Sequence, residues 1–208
     1  YHANGGYEDG AFLSKESPYR SFFGFRDENG WPDNTSYEGW WDYDTLPKLN
    51  YEGSEELYDY ILGIAAKWVS APYYVDGWRL DVAAGLGHSS EFNHKFWRDF
   101  RKAVKTANPE ALILAEHYGD PKDWLEKGDQ WDTVMNYDAF MEPLTWFLTG
   151  MEKHSDEYIP EKKGKVDDFE GAMRHFMASF QTSQLQCAMN ELSNHDHSRF
   201  LTRTNGTA

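Results

Sequence analysis

Apolar and polar residues along the chain follow a helical period in some segments and form short apolar runs in others. The helical period is clearest over 54–68 and 89–108, where apolar side chains recur every three or four positions. Ser54 and Ser89 precede these segments as candidate N-caps. The same reasoning predicts helices at 120–128, 139–148 and 168–184, and strands at 75–83, 111–115, 133–137 and 187–192.

This alternation of strands and helices predicts an α/β fold with a parallel sheet. Residues 1–50 are rich in Gly, Asp, Asn and aromatic residues without either period, and are predicted to be irregular. The polar, Lys-rich stretch 152–168 is predicted to be an exposed loop. Four strands are half of a closed barrel, which typically takes about 250 residues. The chain is therefore either an open α/β sheet or part of a barrel.

Composition narrows the classes of partner. The chain has 208 residues and a formal net charge of −15, and such a surface repels phosphate backbones, which argues against a nucleic-acid partner. No apolar run is long enough to cross a membrane. The single cysteine, Cys187, lies in an apolar setting that predicts a buried thiol, and its lack of a disulfide partner favours a cytoplasmic location.

Acidic residues follow three of the predicted strands: Asp81, Glu116 and Asp196. The carboxyl ends of parallel barrel strands meet at one rim, and 116 − 81 = 35 residues is a fair length for one strand–helix–strand unit. Two close carboxyl groups can act on a glycosidic bond, one as proton donor and one as nucleophile. Arg79 would share a strand face with Asp81 and hold that aspartate ionised.

Four motifs carry a resemblance to a known family. Asp76–Asp81 (DGWRLD) resembles the fourth-strand motif of the α-amylase family of glycoside hydrolases, and Ala115–His117 (AEH) resembles its fifth-strand motif. Asn194–Asp196 (NHD) resembles the seventh-strand motif. Leu46–Asn50 (LPKLN) resembles the short motif before the fourth strand, in the form typical of neopullulanases, cyclomaltodextrinases and maltogenic amylases. The motifs occur in the family's order.

The resemblance implies a (β/α)8 TIM barrel, present here as a partial barrel. Residues 1–50 would be the end of an irregular loop domain inserted after barrel strand 3, and residues 51–208 would hold strands 4–7 with their helices. The family's third-strand motif has no counterpart in the sequence and is expected upstream of residue 1. The intact parent is expected to be the enzyme, whereas the 208 residues alone are expected to be inactive.

The resemblance also implies residue roles. The catalytic residues would be the nucleophile Asp81, the general acid/base Glu116 and the supporting carboxylate Asp196. Substrate contacts would come from Arg79, His195 and His117. The substrate would be an α-glucan, such as a maltooligosaccharide or a cyclodextrin, with no required cofactor. Ala84 and Gly85 stand where α-amylases proper carry Lys-His, so the sequence does not support calcium binding.

The sequence leaves several alternative functions open. The same site could pass the glycosyl group to a sugar hydroxyl, or the chain could be a non-catalytic module that only binds carbohydrate. A metal-dependent hydrolase using Glu116-His117 and His195-Asp196-His197 is a third reading, although adjacent strand residues point to opposite faces and chelate poorly. The resemblance further implies a homodimer of the intact protein. The aromatic residues Trp31, Trp40 and Trp41 are either sugar-stacking platforms or packed structure.

Overall fold

The computed structural model describes residues 9–204, which fall into two compact units. The first unit is formed by the chain up to Tyr74 together with Gly85–Asn108. The second is formed by Val75–Ala84 together with the chain from Pro109 onward. Among the described residues, no helix is both long and apolar enough to cross a membrane.

The first unit contains two long helices, α1 (Glu55–Val69) and α2 (Ser90–Ala107). Both N-caps are the predicted serines: the Ser54 hydroxyl accepts the third residue's N–H at 3.2 Å, and Ser89 does the same at 3.2 Å. The helices pack through aromatic contacts such as Tyr58 on Phe96 at 5.3 Å. The two predicted helices are therefore confirmed, together with their caps.

Outside α1 and α2, the described residues of the first unit are irregular, as predicted; residues 1–8 of the predicted stretch 1–50 lie outside the described residues. This part of the unit contains the short 3-10 helices Arg20–Phe22 and Trp40–Asp42 and isolated antiparallel bridges instead of a described sheet. Its buried apolar core shares one residue with α1 and consists of Ala11, Phe22, Phe23, Tyr37 and Leu57. The assignment of residues 1–50 to an inserted loop domain stays a prediction.

The second unit is built on a parallel sheet. The described strands are β1 (Gly77–Leu80), β2 (Leu112–Ala115) and β3 (Thr133–Val134), in the order β1-β2-β3. Strand β2 lies in the middle and is the most apolar, because it is covered on both faces. The fourth predicted strand, 187–192, is reduced to one parallel bridge between Met135 and Met189.

The helices of the second unit are α3 (Lys122–Leu125), α4 (Glu142–Thr149), α5 (Val166–Met177), α6 (Thr182–Gln186) and α7 (Phe200–Arg203). The single helix predicted over 168–184 is wrong, because the chain breaks after Met177 and restarts behind the capping box of Gln181 and Gln184. A π-helical turn, Tyr137–Met141, leads into α4 where a strand end was predicted.

The prediction of a buried Cys187 is wrong, because Cys187 is exposed and follows the short helix α6 instead of lying in a covered strand. Most of the stretch 152–168 is exposed, as predicted, but Lys153 is an exception with only 6% exposed. Its ammonium lies 3.1 Å from Glu142 Oε2, and this ion pair compensates the buried charge.

Candidate active site

The second unit brings two acidic residues together at the carboxyl ends of neighbouring strands. Asp81 follows β1 and Glu116 follows β2. The Glu116 N–H donates to the Leu80 carbonyl at 2.8 Å, and the Ala83 N–H donates to the Glu116 carbonyl at 3.3 Å. These backbone bonds continue the parallel ladder past the strand ends, so that both acids lie at one edge of the sheet.

Arg79 bridges the two carboxylates. Its Nη1 donates a hydrogen bond to Asp81 Oδ1, and its Nη2 lies 3.3 Å from Glu116 Oε2. The same Glu116 oxygen accepts the Val82 N–H at 2.9 Å. Val82 has φ 42°, a left-handed conformation that is costly for a β-branched residue. The backbone is therefore strained at Val82, the residue that follows Asp81 and donates to Glu116.

The two carboxylates differ in their access to solvent. The Asp81 side chain is 76% exposed, whereas that of Glu116 is 6% exposed. Burial lowers the pKa of Arg79, but its hydrogen bond to Asp81 and the charges of Glu116 and Asp81 outweigh burial and raise that pKa overall. The guanidinium thus stays charged and fixes an accessible carboxylate beside a buried one.

Replacing Arg79 with Lys should expose how much the bridge matters. A lysine ammonium is one point charge and cannot span two carboxylates as a planar guanidinium does. We expect kcat of the full-length protein to fall roughly 10- to 100-fold, because a single ammonium no longer positions both carboxylates. Steady-state kinetics on maltotriose would measure kcat together with KM, on which the predicted substrate contact of Arg79 also acts. An unchanged kcat would show that the bridge does not position the carboxylates.

A second group of side chains surrounds the hydroxyl of Tyr137. The rings of Tyr118 and Tyr137 are stacked, with their centroids 4.4 Å apart and their planes at an angle of 2°. Asn194 Nδ2 donates to the Tyr137 hydroxyl at 2.9 Å, and Asn194 Oδ1 accepts the Asp196 N–H at 3.0 Å. Burial raises the pKa of Tyr118, and the charges of Glu116 and Asp196 raise it further. Tyr118 is therefore within the electrostatic field of both acids.

The remaining predicted residues are less tightly joined. His195 Nε2 lies 3.4 Å from Asp196 Oδ1, and the two side chains are 74% and 45% exposed. His117 packs against the rings of Trp124 and Trp131, at 4.8 and 5.8 Å, and burial lowers its pKa. Direct contacts thus connect Arg79, Asp81 and Glu116, while the substrate roles of Arg79, His195 and His117 stay predictions.

Sequence reasoning missed three residues of this region. Tyr137 ends the predicted strand 133–137, so the rule that strand ends converge would have found it. Lys153 and His154 gave no such signal, because both lie in a polar stretch. Lys153 Nζ lies 5.7 Å from the Tyr118 ring centroid, and the His154 ring lies 5.1 Å from that ring.

The described side chains do not assemble a metal site. Over residues 9–204, no group of three or more His, Cys, Asp or Glu side chains is arranged to hold a metal ion. The metal-dependent reading of Glu116-His117 and His195-Asp196-His197 therefore has no described ligand set.

Paired carboxyl groups at the strand ends of a parallel α/β sheet define a class of site found at the rim of barrel hydrolases. The chain belongs to the α-amylase family, since the family's "Alpha amylase, catalytic domain" matches residues 4–208. The family predicted from the four motifs is confirmed, and with it the fold class of a partial (β/α)8 barrel.

The chain is similar to members of the predicted branch. It is 33% identical over 205 residues to neopullulanase 2 of Thermoactinomyces vulgaris, covering 89% of this chain and 31% of that protein. It is 35% identical over 161 residues to a cyclomaltodextrinase of Geobacillus thermopakistaniensis (strain MAS1), covering 77% and 24%. The crystal structure of Ttha1563 from Thermus thermophilus matches with a TM-score of 0.77 and 29% identity, covering 97% of this chain and 43% of that one. The chain spans about a quarter to a third of the length of these two curated relatives.

Proposed function

We propose that the full-length protein is a glycoside hydrolase that cleaves α-glucosidic bonds with retention of configuration. The observation that carries this proposal is the Arg79 guanidinium shared between Asp81 and Glu116. The names of its relatives, neopullulanase and cyclomaltodextrinase, indicate α-glucans such as pullulan and cyclodextrins as the substrate class.

The proposed reaction has two steps. In the first, protonated Glu116 gives its proton to the glycosidic oxygen while an Asp81 carboxylate oxygen attacks the anomeric carbon, so the C–O bond to the leaving sugar breaks. The product is a glycosyl ester on Asp81. In the second, ionised Glu116 takes a proton from water, the water oxygen attacks the same carbon, and the ester bond to Asp81 breaks. Two inversions leave the α-anomer.

Exposure and contacts support the role of Asp81. A nucleophile must reach a ligand from solvent, and Asp81 is the accessible carboxylate of the pair. The guanidinium donates a hydrogen bond to its carboxylate and restricts its rotation. Retaining enzymes need carboxyl groups only about 5 Å apart, whereas inverting enzymes leave room for a water between them. Both carboxylates lie within reach of one guanidinium, as a pair that flanks one glycosidic bond requires.

The other predicted residues would contact the sugar and stabilise its transition state. Asp196, held through its N–H by Asn194, would stabilise the positive charge that develops on the sugar ring. His195 beside it and His117 would contact hydroxyl groups of the substrate. Every group in this scheme is an amino-acid side chain, so we propose no cofactor. The homodimer of the intact protein stays a prediction.

Product stereochemistry tests the proposal. Maltotriose, a cyclodextrin and pullulan would each be incubated with the full-length protein, and the first products followed by proton NMR. We expect α-anomers to appear first, before mutarotation. Initial β-anomers would contradict retention and with it the role of Asp81. Products longer than the substrate would instead assign the protein to glycosyl transfer. That reaction forms the same glycosyl ester, but a sugar hydroxyl replaces water in the second step.

A further inference from the structure

His197 directly follows the Asn194–Asp196 motif, and only 7% of it is exposed. The sequence brought it forward only as a metal ligand, and the proposed reaction gives it no role. Its Nδ1 lies 2.6 Å from Asn194 Oδ1, and its ring centroid lies 5.8 Å from that of Tyr137. The buried imidazole therefore contacts the residue that holds the Asp196 N–H.

The hydrogen bonds of Asn194 show which end of its amide is the oxygen. One end lies 3.0 Å from the Asp196 backbone nitrogen, whose N–H can only donate. The other end lies 2.8 Å from Glu191 Oε1, and a carboxylate oxygen accepts. The amide oxygen therefore faces Asp196, and it is this same oxygen that the His197 ring contacts.

This orientation determines which nitrogen of the His197 ring carries a hydrogen. Asn194 Oδ1 can only accept, so His197 Nδ1 must donate to it. The other ring nitrogen, Nε2, is buried and bonds to no atom of the described chain. Burial lowers the pKa of His197, and nearby charges change it further, downward from His154, Arg203 and Lys153 and upward from Asp196. The neutral ring with its hydrogen on Nδ1 is therefore the favoured form.

The chain that follows His197 is anchored by side-chain contacts. Ser198 Oγ donates to Asp156 Oδ1 at 2.6 Å, and Arg203 Nε lies 3.1 Å from the same oxygen. Arg203 is buried, and its Nη2 donates to the Lys153 carbonyl at 3.0 Å. These contacts fix the backbone beside His197, so the imidazole is held against Asn194 and does not float on a free loop.

We propose that His197 is a positioning residue for Asp196. The His197 Nδ1–H and the Asp196 N–H both donate to Asn194 Oδ1, so the imidazole fixes the amide that orients the acid. The importance of that orientation rests on the proposed function, in which Asp196 stabilises positive charge on the sugar ring. An apolar side chain at position 197 would fill space but leave the amide with one hydrogen bond fewer.

Two replacements with the same branching separate the hydrogen bond from the packing. The asparagine Nδ2 is as many bonds from Cβ as the histidine Nδ1 is, whereas leucine has a methyl group there. We expect His197→Leu to lower kcat of the full-length protein on maltotriose roughly 10-fold, because small displacements of catalytic groups are costly. We expect His197→Asn to stay within about threefold of the parent's kcat, since it keeps the donor.

His175→Leu is the matched control for the leucine variant. His175 is an exposed histidine on α5, and its ring also contacts an aromatic ring, that of Phe176 at 5.0 Å. We expect this change to leave kcat unaltered. An equal loss of kcat in His175→Leu would overturn the proposal, because the effect would then not depend on the contact with Asn194.

Ligand affinity distinguishes a positioning role from a general loss of structure. 1-Deoxynojirimycin is a sugar-like cation, and maltose is a neutral sugar; calorimetry would measure the binding of each. We expect His197→Leu to weaken the binding of the cation roughly 10-fold, because its charge depends on the placement of Asp196. We expect maltose binding to stay unaltered and His197→Asn to restore the affinity for the cation. Equal weakening for both ligands would overturn the positioning role.

The ring nitrogens of His197 provide a test that uses the unsubstituted side chain. Nitrogen NMR of the full-length protein labelled at histidine would be recorded near neutral pH, and the His197 signals would be assigned by their loss in His197→Asn. We expect a hydrogen on Nδ1 and none on Nε2. A ring with its hydrogen on Nε2 alone could not donate to Asn194, and this result would overturn the proposal even if His197→Leu failed to fold.

The positioning role and the proposed function can fail separately. If the parent and His197→Leu hydrolyse maltotriose equally well, the positioning role is wrong and the reaction stands. If the parent turns over no α-glucan, the reaction is wrong. The positioning role would then stand if the Asp196 N–H signal shifts in His197→Leu and keeps its place in His197→Asn, and fall if the two variants give the same signal.

Discussion

Replacing Asp81 with Asn should lower kcat on maltotriose by about 10⁴-fold or more, since loss of a nucleophile removes the covalent route entirely. Asparagine keeps the shape of the side chain and a hydrogen-bond acceptor for Arg79. It cannot form the glycosyl ester, because the neutral amide is a poor nucleophile. Steady-state kinetics of the full-length protein, with thermal melts to verify folding, would measure the loss.

Asp167→Asn is the matched control for this change, because Asp167 is an exposed aspartate on α5. We expect it to leave kcat unaltered. The smaller variant Asp81→Gly adds a positive readout, since azide can occupy the vacated space and attack the anomeric carbon directly. A single displacement would give the β-glycosyl azide. An Asp81→Asn protein that keeps a tenth or more of the parent's kcat would rule out the nucleophile role.

Replacing Glu116 with Gln should have an effect that depends on the leaving group. Glutamine cannot donate the proton, so kcat on maltotriose should fall roughly 10²- to 10⁴-fold. α-Glucosyl fluoride needs far less help to leave, so the glycosyl ester should still form quickly and then accumulate. A burst of fluoride release followed by slow turnover would report this in rapid-mixing experiments.

Glu161→Gln provides the control for Glu116, because Glu161 is exposed and lies before α5. It should behave as the parent on both substrates. Azide should speed the second step of the Glu116→Gln protein and give the α-glycosyl azide, opposite in configuration to the product of Asp81→Gly. Equal slowing of fluoride release and of maltotriose cleavage would exclude the acid/base role.

Local physics explains why much of this fold is predictable. Ser54 and Ser89 cap helices through their own side chains, and these contacts depend on residues three positions away. The apolar run at β2 is long enough for a covered strand and too short for a helix. The pairing of Arg79 with Asp81 follows from the two-residue repeat of a strand.

Residues distant in sequence decide what could not be predicted. Lys153 is buried because Glu142 and the Tyr118 ring contact it in the folded chain. The sequence around residue 153 contains no pattern that predicts these contacts. The exposure of Cys187 likewise depends on where α6 ends. The convergence of Asp81 and Glu116 was predictable only because parallel strands share an edge. Asp196 follows a single bridge, and its distance from that edge depends on the loop between.

In the proposed mechanism, Asp81 carries the glycosyl unit between the two steps. A fluorinated α-glucosyl fluoride, which forms the glycosyl ester faster than it is hydrolysed, would be incubated with the full-length protein before digestion and peptide mass spectrometry. We expect one glycosyl unit on the peptide that contains Asp81, with peptide fragmentation assigning it to that residue, and no glycosyl unit after Asp81→Asn. A glycosyl unit on Glu116 or Asp196, or an active protein that never carries one, would contradict it.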